Sequence, residues 1–183
     1  DKSKLYCAMT PKAKRNNNMS IYRFLSRGLR LVLFALFAYL LFFAFRIEID
    51  NFDAFQLPLN ARAIAEGGGP YSIYRSIVAS LLYAPPFWAE RLLRVEGLGF
   101  RLAHVEAVIL FFALAFAQWK LFRLHLPPLA AWLGAYFFCL TPIVIHYSLI
   151  VKEDIPATLF VCLAFYFYLK TRTRPRYRYY LLS

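Results

Sequence analysis

The sequence predicts an all-α membrane protein with about four transmembrane helices and a long first extracytoplasmic loop that carries short interfacial helices. Three totals and one pattern lead there. Hydrophobic residues fill 61% of the 183 positions and aromatics 19%, and mean hydropathy is +0.49, too apolar for an ordinary soluble fold. The pattern is a series of apolar runs with basic residues gathered at their ends. That placement is how membrane proteins use cations, so the net charge of +12 is assigned to membrane topology and nucleic-acid binding is not expected.

Residues 1–28 form a basic tail with Lys2, Lys4, Lys12, Lys14, Arg15, Arg23 and Arg27, expected to be unstructured up to Ile21. The first span is predicted over residues 29–49. It is uncharged from Leu31 to Phe45, and Arg30 and Arg46 near its ends can snorkel to the headgroups. The run is too long and too rich in Phe and Leu for a cleaved signal peptide, so it is read as retained. A second span is expected over 103–123, with His104 and Glu106 in its outer turn, and a third over 129–150 after Pro127 and Pro128, kinked at Pro142. A fourth covers 155–170. This gives a cytoplasmic tail (1–28), a transmembrane region (29–172) with an outer loop (47–103), and a second basic tail or the start of a continuation (173–183). Because the chain begins at Asp1 and stops at Ser183 just past a basic patch, it is expected to be part of something longer.

Charge places the ends. The first tail, the link with Lys120, Arg123 and His125, and the stretch from Lys170 to Arg178 are all basic and fall on one side of a four-span arrangement, which the positive-inside rule makes the cytoplasm. The aromatic-interleaved segment from Arg172 to Tyr180 is accordingly an anchor at that surface. Nine of the ten acids, all but Asp1, fall in the outward segments or at the outer end of the second span. Acids do not set topology, so their concentration points either to a site on the outer face or to pairing with Arg62, Arg75, Arg91, Arg94 and Arg101.

Within the outer loop, Leu57, Ala61, Ile64 and Ala65 recur at helical spacing, and Gly67 is suited to close that helix in the left-handed conformation. Tyr71, Tyr74, Tyr83 and Trp88 suit the headgroup level, and Arg91, Arg94 and Arg101 are assigned to a further interfacial helix. The triple glycine at 67–69 lacks the context of a phosphate loop. Cys7, Cys139 and Cys162, like His104, His125 and His146, are scattered, without CxxC, HxxxH or HExxH. No metal site is expected from them and no cofactor is required, although a divalent metal could assist.

Two acids could carry chemistry. Asp53, with Asp50 one turn earlier, lies beside Phe52 and Phe55, whose apolar neighbourhood raises a carboxylate toward a useful general base. The competing reading is a helix cap, since Asp53 and Gln56 have capping-pair spacing. Asp154, in Lys152-Glu153-Asp154-Ile155-Pro156, has the same two readings. Both acids fall on the outer face at the lip of a span, and with the arginines of the loop they suit a substrate whose leaving group is a lipid phosphate.

The order of these elements resembles the N-terminal part of the GT-C glycosyltransferases, nearest to the dolichyl-phosphate-mannose protein mannosyltransferase and aminoarabinose transferase branch. The motifs are Asp53, then Ala61-Arg62-Ala63-Ile64-Ala65-Glu66-Gly67-Gly68-Gly69, Tyr83-Ala84-Pro85-Pro86-Phe87 and Lys152-Glu153-Asp154-Ile155-Pro156. The resemblance spans residues 28–172. It implies a polyprenyl-phosphate sugar donor, attack at the anomeric carbon with inversion, and release of the lipid phosphate at the periplasmic or lumenal face of a bacterial inner or ER membrane. Asp53 maps onto the proposed base and Asp154 onto the acid ahead of the fourth span. Asp50, Arg62, Arg75 and Glu153 are the candidate substrate-binding residues. The acceptor would be a protein, lipid or glycan, and a further membrane subunit could associate. The chain departs from the family in Asp53-Ala54, where relatives read Asp-Glu, and in Ala84 before the proline pair, where Lys is common. The rival class is a non-catalytic membrane subunit or transporter component, with the acids as caps and ion-pair partners.

Overall fold

The computed structural model describes residues 12–46, 52–72 and 75–173, with backbone alone for 12–23, 26, 52–54 and 173. The described chain is all-helical. Helix α1 (Lys12–Arg46) is followed by α2 (Phe52–Ala65), α3 (Ile77–Leu82), α4 (Pro85–Leu93), α5 (Leu98–Phe122), α6 (Pro128–Leu140), α7 (Pro142–Ser148) and α8 (Asp154–Thr173). Among the described residues three helices are long and apolar enough to cross a membrane: Arg27–Arg46, Leu98–Phe122 and Asp154–Arg172. The bent pair α6 and α7 makes a fourth crossing if counted as one span.

Contacts to α5 argue that the bent pair does cross the bundle. Near the last turn of α5, Trp119 stacks on Trp132 of α6 at 4.8 Å. Near its first turns, the His104 Nδ1–H donates to the Leu149 carbonyl just past α7 at 2.8 Å. His104 and Trp119 are fifteen residues apart, so α6 and α7 together climb about 22 Å along α5. The turnaround is at Thr141 and Pro142, where the helix axes bend by 71°. Thr141 has φ −63° and ψ 121°, the extended state a following proline enforces, and proline can start α7 because its missing N–H is not needed there. The expected kink is thus a complete break.

Helix α1 runs toward the α5 N-terminus, and α5 and α8 run back. The core they share with α6 holds Leu40, Val108, Phe111, Leu114, Cys139 and Leu159. Most large side chains of α1, including Leu31, Phe34, Tyr39 and Phe42, face outward, as lipid-facing residues do. A second core, built from Leu57, Ala61, Tyr83, Ala84, Phe87, Ala103, Ala107 and Val151, joins α2, α3 and α4 to the start of α5. Alanines dominate its contacts, which lets the backbones approach closely.

Helix α2 ends as expected from its glycine. Gly67 has φ 84°, its N–H donates to Ile64 O at 3.0 Å, and the Gly68 N–H donates to Ala63 O at 2.8 Å, a Schellman closure. Pro58 lies buried inside the helix, giving up one intrahelical bond.

Four features differ from the sequence reading. Helix α1 extends back to Lys12 rather than starting near Ile21, in keeping with the good helix formers Lys, Ala, Arg and Met in that stretch. Helix α5 starts at Leu98, which places Arg101 in the span and Glu106 in its third turn instead of its outer turn. The cause is local: Arg94 takes the left-handed conformation at φ 55° and ends α4, and the Glu90 carboxylate accepts the Gly99 N–H at the head of α5. A Cβ at Gly99 would meet Glu90 and the Phe87 ring at 2.5 Å, so only glycine fits. Helix α3 was not foreseen; Ser76 caps it by accepting the Ala79 N–H at 3.3 Å. Finally, Tyr83 is fully buried rather than at headgroup level, while Tyr71 and Trp88 are exposed and Tyr74 lies outside the described residues.

Candidate functional site

One end of the bundle gathers α2, α3, α4, the head of α5 and the segment between α7 and α8. Arg75 ties it together. Its Nε donates to Gln56 Oε1 at 3.3 Å, and its Nη1 donates to Glu153 Oε1 at 3.3 Å. A residue of the α2–α3 connection thereby links the first turns of α2 to the residue just ahead of α8. The second carboxylate oxygen of Glu153 is buried without a hydrogen-bond partner among the described residues. Glu153 also lines a slot of about 140 Å³ with Ser76, Ala79, Leu82, Pro156 and Phe160.

Asp154 is the first residue of α8 and is exposed next to that slot; its carbonyl accepts the Thr158 hydroxyl at 2.7 Å. Asp53 is the second residue of α2, one turn before Gln56, and its side chain, like the whole of Asp50, lies outside the described residues. The described helix starts ahead of Asp53, and the Gln56 oxygen accepts from Arg75.

Arg62 belongs to a different cluster from Arg75. It pairs with Glu66 at 2.8 Å and lies 3.9 Å from Glu90, at the edge of a charged cleft of about 380 Å³ lined also by Arg91, Arg94 and Glu96. The hydrogen bond that Arg62 Nε donates to Glu66 is the main reason its guanidinium is held above the ordinary arginine value. Arg62 is half-exposed and paired with carboxylates, whereas Arg75 is more buried and paired with Glu153.

Three residues at this end carry roles that sequence reasoning missed. Asn60 is fully buried in α2; its Nδ2 donates to Ser72 O at 2.8 Å and its Oδ1 accepts the Ser72 N–H at 2.6 Å, which fastens the loop to the helix. An Asn inside an apolar helical run was the available signal. The buried Tyr83 hydroxyl donates to Lys152 O at 3.5 Å. Burial pushes this phenol up, and the charges of Glu106 and Glu153 add to the effect, so it stays a neutral donor. Glu106, inside α5, has one buried oxygen without a partner among the described residues. No three His, Cys, Asp or Glu side chains among the described residues gather in a metal-binding group.

The described chain is that of a multi-pass helical protein in which Arg75 ties the first turns of α2 to the segment ahead of α8. A sequence profile for dolichyl-phosphate-mannose-protein mannosyltransferase matches residues 88–183, the C-terminal half of the chain. The chain belongs to that family, and so to the membrane glycosyltransferases of the mannosyltransferase type. The match includes Glu153 and Asp154 and stops short of Asp53, Arg62 and Arg75. No curated protein and no solved structure matches the chain.

Proposed function

We propose that the chain forms the donor end of a glycosyltransferase that moves a sugar from a polyprenyl phosphate to an acceptor hydroxyl at the extracytoplasmic face, with inversion. Asp53 acts as the base and takes the acceptor's proton. The acceptor oxygen attacks the anomeric carbon, the bond from that carbon to the phosphate oxygen breaks, and the lipid phosphate departs with the electron pair. Arg75 meets the phosphate charge as it develops, and Asp154 with Glu153 orients the sugar; Asp50 and Arg62 are secondary candidates for substrate contact. The acceptor is a protein, lipid or glycan.

The observation that carries this reading is the Arg75 bridge between Gln56 and Glu153. It draws the segment bearing Asp53 toward the segment bearing Asp154, although the two are about a hundred positions apart in the chain. The polyprenyl-phosphate donor is what membership of the family implies. The orientation rests on the positive-inside rule, which puts the tails at 1–28 and 173–183 in the cytoplasm and the acids outside.

The decisive variant is Asp53→Asn, which keeps the size and most of the capping ability of aspartate. Transfer to acceptor should fall by about a hundredfold or more with thermal stability unchanged. Full turnover in that variant would remove Asp53 as the base. Orientation is tested independently with a membrane-impermeant thiol reagent, which should label Gly68→Cys from outside and leave Arg174→Cys untouched. The reverse pattern would invert the topology.

A further inference from the structure

At the end of the bundle away from Arg75, an apolar groove of about 280 Å³ opens between α1, α5 and α6, lined by Leu33, Phe37, Phe112, Phe116, Trp132 and Ala135. It extends about 6 Å along the helix axes, from Leu33 to Phe37 on α1 and from Phe116 to Phe112 on α5, inside the segments apolar enough to cross a membrane. Two cations are set over rings beside it. The Arg30 guanidinium lies 5.6 Å from the centre of the Trp132 ring, and Lys120 Nζ lies 5.0 Å from Trp119 and 5.2 Å from Phe116. Neither α1, α6, α7 nor the part of α5 beyond Glu106 contains an Asp or Glu. The carboxylates of the described residues are at the other end, so these cations find their anion outside this part of the chain.

We propose that this groove binds one anionic phospholipid, with a stretch of acyl chain against the phenylalanines and Trp132 and the phosphate between Arg30 and Lys120. Each feature matches one part of such a molecule: the apolar groove at hydrocarbon depth takes the chain, and the two cations set over rings beside it take the headgroup. A purely apolar helix would fill the groove but would leave the two cations without an anion. A polyprenyl phosphate whose sugar reacts beside Arg75 would carry its phosphate at the opposite end, roughly 24 Å away along α1.

The test uses the full chain with Trp88→Phe in lipid nanodiscs, so that Trp119 and Trp132 report. Acyl chains brominated at mid-chain quench tryptophan on contact. A small fraction of brominated phosphatidylglycerol in a phosphatidylcholine host should quench as though enriched about tenfold around the reporters, while brominated phosphatidylcholine at the same fraction should show no enrichment. Arg30→Gln with Lys120→Gln should abolish the enrichment, each single change should reduce it, and Arg123→Gln, which neutralises an exposed cation outside the groove, should leave it intact. Equal quenching by the two lipids would overturn the proposal, since annular lipid explains it. So would an Arg123→Gln effect as large as the double change, which reports only bulk attraction, or an absence of quenching by both lipids, which reports a groove covered by protein.

Discussion

The two ends of the bundle differ in whether their cations also find carboxylates of the protein. Where α2, α3 and α4 pack on the head of α5, cations meet carboxylates of the protein itself: Arg75 with Glu153, and Arg62 with Glu66 and Glu90. Aromatic rings take further cations at both ends: Arg46 on Phe42, Arg101 on Phe45 and Lys152 on Tyr147 here, and Arg30 on Trp132, Lys120 on Trp119 and Arg172 on Tyr168 at the far end, where the helices carry no carboxylate among the described residues. The first arrangement fixes parts of the chain relative to one another. The second leaves the positive charge outward, where a headgroup layer can use it. One end is built to hold geometry and the other to sit in a bilayer, which is why the transfer site is argued at the first.

The largest contrast is expected between Arg75 and Arg172. Arg75→Ala removes both ties of the bridge and leaves Glu153 without its cation, so sugar transfer should fall by about a hundredfold through misplacement of the acid-bearing segments. Arg172→Gln, exposed and set over Tyr168, should cost no more than about 0.5 kcal/mol and leave transfer at the wild-type rate. Side-by-side turnover assays in the same detergent read both. Equal losses would erase the distinction between the ends.

A smaller effect, on stability alone, is expected at Asn60. Alanine there leaves the Ser72 N–H and carbonyl without their side-chain partners, a loss of about 2 kcal/mol in thermal stability. Ser72→Ala should be nearly silent, because both bonds use the Ser72 backbone. If the two substitutions cost the same, the Asn60 clamp is not what holds the loop to α2.

The bundle was legible because its signals are local. Runs such as 31–45 declare spans by composition, Gly67 declares the end of α2 through one backbone angle, and Pro142 declares an interruption by lacking an N–H. The site was legible only in its ingredients. Arg62 and Arg75 look alike in one loop, yet the fold sends one to Glu66 and Glu90 and the other to Glu153, 78 positions along the chain. Gln56 has the spacing of a capping partner for Asp53, and nothing in that spacing shows that its oxygen accepts from Arg75. Tyr83 suited a membrane surface by composition, and only the packing of α3 and α4 on α5 buries it. Such outcomes depend on which helices meet, and no window of sequence states that.

Tyr83 offers the finest probe of the self-paired end, through pH. Burial first, and the nearby charges of Glu106 and Glu153 after it, raise the phenol above its ordinary value of 10.0. The folded state therefore holds this proton more tightly than the unfolded chain. The stability that follows is fully present at neutral pH, begins to be lost once the pH passes about 10, where the unfolded phenol ionises, and is gone only above the raised folded value. Tyr83→Phe removes the hydroxyl and its bond to the Lys152 carbonyl, which should cost about 1 kcal/mol at pH 7. It also removes the titration. Melting curves of both proteins between pH 8 and 11 should therefore converge as the wild type loses its advantage, whereas a constant gap would mean that the phenol is not held protonated by the packing of α3 and α4 on α5.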